Sequence, residues 1–116
     1  MNHHHRQFFI DGAWVEPAGR DTIDVIDPAT EEAYTAIAAG GAADVDRAVA
    51  AARAAFPAFA QTSRDDRLAL LRRILALYNE RIEEIAQAVS REMGAPIDFA
   101  RSAQAFAGQT HLEATI

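Results

Sequence analysis

Hydrophobic positions change period once along this chain. Up to Gly41 they form short apolar runs broken by turn residues; from Ala42 onward they recur every three or four positions. Phe8-Phe9-Ile10 and Ala13-Trp14-Val15 flank Asp11-Gly12. Asp-Gly between apolar runs predicts a hairpin, because a type I′ turn needs two positive φ angles. Thr22 to Ile26 alternates and predicts a third strand, stopped by Asp27-Pro28-Ala29-Thr30; Pro28 also biases Asp27 away from helix. Glu32 to Ala38 predicts a fourth, ended by Gly40-Gly41.

The helical pattern begins with Val45, Val49, Ala52, Phe56 and Phe59. Alanine fills eight of the fourteen positions from 42 to 55, so propensity agrees with period. Asp44 and Asp46 stand in the first turn, where free N–H groups favour negative charge, and Pro57 is expected to end or kink the helix. Ser63 with Asp66 resembles a capping box opening the second helix. Leu68, Leu71, Leu75, Tyr78, Ile82, Ile85 and Val89 continue without interruption to Gly94 and Pro96, which are stop residues. The expectation is one rod, on the order of 45 Å long at about 1.5 Å per residue. A third helix is expected from Ile97 onward, with Phe99, Ala103, Phe106 or Ala107, and Thr110 on one face. The fold class is therefore an α+β segment: a meander of three or four short N-terminal strands, then three helices. Residues 1–7 read as a flexible terminus.

Composition narrows the function. The 116 residues carry 17 Asp and Glu against 11 Arg and no Lys, for a net charge of −6. Without clustered cations, nucleic acid is not an expected partner. No apolar run reaches the roughly 20 residues of a membrane span, and the start from Met1 to Gln7 has no apolar h-region, so neither a membrane nor a secretory signal is expected and the location reads as cytoplasmic. There is no cysteine, which excludes disulfides, thiolate metal sites and a cysteine nucleophile within these residues.

Candidate chemistry is sparse. His3, His4 and His5 are consecutive and do not converge on a metal. His111 and Glu113 lie two apart, which on a helix places them on different sides. Gly40-Gly41 precedes a helix but lacks a G-x-G-x-x-G or G-K-[ST] pattern, and Asp44 and Asp46 would repel a phosphate, so a flexible joint is expected. Trp14 with Phe8 and Phe9 is expected to pack in a core rather than to stack bases. No catalytic, cofactor-binding or metal residue is identified.

The stretch from Phe8 to Ile116 nevertheless resembles the N-terminal segment of NAD(P)-dependent aldehyde dehydrogenases. The resemblance is carried by Phe-Ile-Asp-Gly-x-Trp-Val, by Ile-Asp-Pro-Ala-Thr, by Ala-Asp-Val-Asp-x-Ala-Val-x-Ala-Ala-Arg-x-Ala-Phe, and by the long helix ending in Gly-x-Pro, where Ala95 takes a position often held by Lys. It implies the leading part of an α/β coenzyme-binding domain, incomplete over residues 8–116. It further implies aldehyde oxidation to a carboxylic acid with NAD or NADP, and a homo-oligomer. In that family a cysteine attacks the aldehyde, hydride passes to the nicotinamide and a glutamate activates water. Those groups come later in the family's chain, as does a Pro-Trp-Asn segment expected shortly after Ile116. The segment alone is expected to be inactive, to bind no cofactor, and to expose an apolar patch that makes it self-associate or fold weakly. The family's helix after Gly-x-Pro lines the substrate entrance, which places Ala103 and Ala107 as candidate tunnel-wall residues; close helix packing is the plainer account of two small side chains. Competing readings are a self-contained protein-association module and a truncated regulatory paralogue.

Overall fold

The computed structural model describes residues 4–116. The chain divides into two compact units, one of residues 4–26 and 33–61, the other of Asp27–Glu32 and Thr62–Ile116.

In the first unit, β1 (Phe8–Ile10) and β2 (Ala13–Val15) pair antiparallel, with Phe8 opposite Val15, Phe9 opposite Trp14 and Ile10 opposite Ala13. Asp11 and Gly12 take φ of 54° and 76°, the two left-handed positions of the predicted turn. β3 (Thr22–Asp27) and β4 (Glu32–Ala38) form a second two-stranded sheet. The expected single meander is thus replaced by two separate sheets. Pro17-Ala18-Gly19-Arg20 carries the chain away from the first hairpin instead of folding β3 onto it. Residues 4–7, expected within the flexible terminus, make a turn in which Gln7 N–H donates to His4 O at 2.9 Å, and Ala38 N–H donates to His5 O at 3.2 Å.

α1 (Ala42–Ala60) starts from Gly41 and lies along the first hairpin, its Ala48, Ala51, Ala52 and Ala55 facing Phe9, Ile10 and Gly12 across a shallow cleft. Pro57 does not end it: the helix runs on to Ala60, where Gln61 N–H closes on Ala58 and Phe59 carbonyls. Proline removes one donor, and the remaining turn keeps its own. The expected apolar stripe of α1 is largely uncovered, with Val45, Val49, Phe56 and Phe59 all exposed.

The second unit corrects the single rod. α2 (Arg64–Glu80) and α3 (Ile82–Met93) are separated at Arg81, whose φ and ψ of −111° and 10° leave helical geometry. Two helices of about 26 Å and about 18 Å replace the one rod. The break lets α3 turn Ile82, Ile85, Ala86 and Val89 onto the chain that follows Pro96, and that tertiary gain outweighs local continuity. Ser63 and Asp66 form the predicted capping box, and Gly94 closes α3 at φ 70° with its N–H on Ser90 O. After Pro96 come α4 (Ile97–Phe99), a π-turn (Ala100–Gln104) and α5 (Ala105–Thr115). The core of this unit is Ala86, Ala100 and Ala105, rimmed by Ile82, Ile85, Val89, Ala95 and Ile97. Among the described residues no large side chain is fully buried.

Candidate functional site

The expected third helix is interrupted by its π-turn, with one tunnel-wall candidate inside the turn and the other beyond it. Ala103 lies within the π-turn and is half-buried; Ala107 lies on the first turn of α5 and is exposed. Phe99 and Phe106 on either side of the π-turn are 54% and 47% exposed. The π-turn interrupts the single helical face expected from the sequence.

Ala105 N–H donates to Ala100 O, the five-residue bond that defines the wider turn. Tyr78 of α2 donates its hydroxyl hydrogen to Ala105 O at 2.6 Å. Gly108 makes this approach possible, since an added Cβ would stand 2.7 Å from Tyr78 Cζ. Gln104 Oε1 is buried and has no hydrogen-bond partner among the described residues. On the other flank, Arg101 Nε and Nη2 donate to the two carboxylate oxygens of Glu83 at 2.9 and 2.7 Å, and Gln87 Nε2 donates to Glu83 at 2.8 Å. These donors, Arg101 first and Gln87 next, hold the Glu83 carboxyl at about 2. The π-turn and its anchors escaped sequence reasoning; the only available signal was a glycine inside an otherwise helical run.

The other candidates do not assemble. Glu113 accepts from Gln109 Nε2 at 2.9 Å, and His111 is exposed beside it. The N-terminus of α1 is occupied by a side chain of its own. Asp44, only 4% exposed, accepts N–H from Ala18 at 2.9 Å and from Gly41 at 3.1 Å, and pairs with Arg47 at 3.0 Å. The Ala18 bond, then the Gly41 bond, hold its carboxyl below the usual range against the opposing effect of burial, with Arg47 adding to the shift. Trp14 is 42% exposed, stacks on His4 with ring centroids 4.4 Å apart, and meets Phe9 edge-on. The expected core packing of this aromatic group is thus corrected, because no described residue covers its outer side. Among the described residues no group of three His, Cys, Asp or Glu could hold a metal; His3 lies outside them.

Comparison with known proteins gives this geometry its context. The family model described as "Aldehyde dehydrogenase family" matches residues 14–114. A 3-succinoylsemialdehyde-pyridine dehydrogenase of a Pseudomonas species is 44% identical over 108 residues, which cover 92% of this chain and 23% of that enzyme. Among solved structures, an aldehyde dehydrogenase C mutant of Pseudomonas syringae, complexed with NAD+ and octanal, superposes with a TM-score of 0.93 at 49% identity, covering 96% of this chain and 23% of that one. An aldehyde dehydrogenase of Bartonella henselae gives 0.91 at 42% identity, with 93% and 23% covered. The chain thus spans about a quarter of the length of these relatives, and its strand-then-helix architecture is that of their N-terminal part. Matched along nearly its whole length both in sequence and in backbone, the chain belongs to the aldehyde dehydrogenase family.

Proposed function

We propose that this chain serves as the leading segment of an NAD(P)-dependent enzyme that oxidises an aldehyde to a carboxylic acid, with residues 8–116 forming an incomplete part of its coenzyme-binding domain. One observation carries the reading: the close superposition on a relative complexed with NAD+ and octanal. In such an enzyme the dinucleotide accepts hydride from the substrate carbon. The starts of α1 and α2 are not free anion sites for the dinucleotide. An anion-binding helix start needs free N–H groups, and α1 already commits the Gly41 N–H to Asp44, while α2 commits the Asp66 N–H to Ser63. No step of the chemistry is assigned to these residues, which contain no cysteine.

The role of this segment is structural and steric. Ala103 and Ala107 would line the substrate entrance, their small side chains leaving room for a bulky aldehyde. The remainder of the enzyme chain would cover the exposed apolar side of α1, and the assembled enzyme would be a cytoplasmic homo-oligomer. No helix among the described residues is long and apolar enough to cross a membrane. Sequencing the reading frame beyond the Ile116 codon tests the proposal: continuation into Pro-Trp-Asn and a later cysteine is expected, and its product should reduce NAD or NADP with an aldehyde. A stop codon directly after Ile116 would overturn it in favour of an association module or a regulatory paralogue.

A further inference from the structure

We infer that the Asp11–Gly12 peptide is a modification site, at which the Asp11 carboxyl condenses with the Gly12 nitrogen and the linkage reopens as isoaspartate, undoing the first hairpin. The site is independent of the aldehyde oxidation proposed above.

Asp11 is the only Asp in the chain that is followed by Gly. Ring closure brings the Gly12 nitrogen onto Asp11 Cγ, and a side chain on the second residue would obstruct it. Gly12 has none, and even an added Cβ there would meet nothing within 4 Å. Both residues are exposed, and the Asp11 carboxylate makes no hydrogen bond or ion pair among the described residues. Asp44 and Asp66, by contrast, are each tied down by backbone N–H groups. Asp11 at φ 54° is also a non-glycine residue in the left-handed region, so its own conformation does not hold the turn shut. The Gly12 nitrogen must rotate about the Asp11 Cα–C bond to reach the side chain, so the turn opens first. Only the three-residue strands β1 and β2 resist this, and a ladder that short opens locally well before the chain unfolds.

The step balances without another reagent. A C–N bond forms between Gly12 N and Asp11 Cγ, and the carboxyl OH leaves with the amide hydrogen as water. Water then adds back to either ring carbonyl. Addition at the backbone carbonyl leaves the chain running through Asp11 Cβ, with its mass restored and one more backbone carbon. A two-residue turn cannot absorb that atom, so the pairing of Ile10 with Ala13 and of Phe9 with Trp14 is lost.

The test incubates the full-length protein carrying this segment at neutral pH and body temperature over weeks. Isoaspartate is then mapped by labelling with an isoaspartyl methyltransferase and by electron-transfer fragmentation of the tryptic peptide of residues 7–20. Label is expected to accumulate in that peptide, through a species lighter by one water. The emission of Trp14, the sole tryptophan, should change in step with it. D11E, whose longer side chain would have to close a larger ring, should lose both signals. Fragmentation of the unsubstituted protein locates the site whether or not D11E folds. Absence of isoaspartate from residues 7–20, or its persistence there in D11E, overturns the site. Trp14 emission that stays constant while label accumulates overturns the loss of the hairpin.

Discussion

Ala18 and Asp44 are joined across 26 positions of sequence by a 2.9 Å hydrogen bond, in which the loop N–H donates to the buried carboxylate. The same carboxylate ties the start of α1 through Gly41, and Arg47 in turn donates to Glu16 O at 2.9 Å. One side chain therefore fastens the loop after the first hairpin to the helix it packs on.

Because the Asp44 carboxyl is held below its ordinary value, its contribution is fully present above the unfolded pKa of about 3.9 and fades as pH falls through the lower folded value. D44N should lower Tm at pH 7, and the gap from the unsubstituted chain should close in acid. Thermal melts from pH 7 to pH 2 check this; a gap that stays constant with pH would show that the charge is not what matters.

Ser63 accepts the Asp66 N–H at 3.1 Å and the Asp66 carboxylate returns to Ser63 N–H at 3.2 Å. S63A should destabilise the second unit by about 1 kcal/mol, with S63T close to unsubstituted. Denaturant midpoints of the two variants provide the comparison.

Gly94 combines a left-handed φ of 70° with a position where an added Cβ would stand 3.0 Å from Pro28 Cγ. G94A should cost about 1–2 kcal/mol from backbone conformation, and the contact adds to it. G94N, which tolerates that backbone better, should lose less on conformational grounds, and urea unfolding of both variants measures the difference.

Val49 and Phe56 are exposed on α1, Phe56 at 67%. The double variant V49S/F56S should shift the isolated chain toward monomer in sedimentation velocity, since it removes apolar area that water disfavours. An unchanged distribution of species would place any association elsewhere.

In the full-length enzyme, A107F should raise KM for a branched aldehyde by about tenfold or more while sparing acetaldehyde, because a phenyl ring would fill the space the methyl leaves. Steady-state kinetics with the two substrates decides it.

Elements specified by their own residues were legible in the sequence. The Asp11-Gly12 turn, the exact span of β4, the Ser63 box and the Gly94 stop all depend on chemistry within a few positions. Elements specified by distant partners were not. The break at Arg81 is set by where α3 must bury Ala86, and the π-turn by Ala100 and Ala105 meeting that same core. Asp44 looked like an ordinary first-turn acid because nothing nearby announces Ala18 as its partner. Ala103 and Ala107 were reached through resemblance alone, since two alanines on a helix carry no chemical signature.

The alanine seam of Ala86, Ala100 and Ala105 sets a limit on how this part of the molecule can evolve. With methyl groups at the point of closest approach, every larger replacement must wedge the helices apart, so diversification is confined to their outward flanks. Those flanks include Phe99 and Phe106, whose side chains can change size while the scaffold beneath them stays fixed.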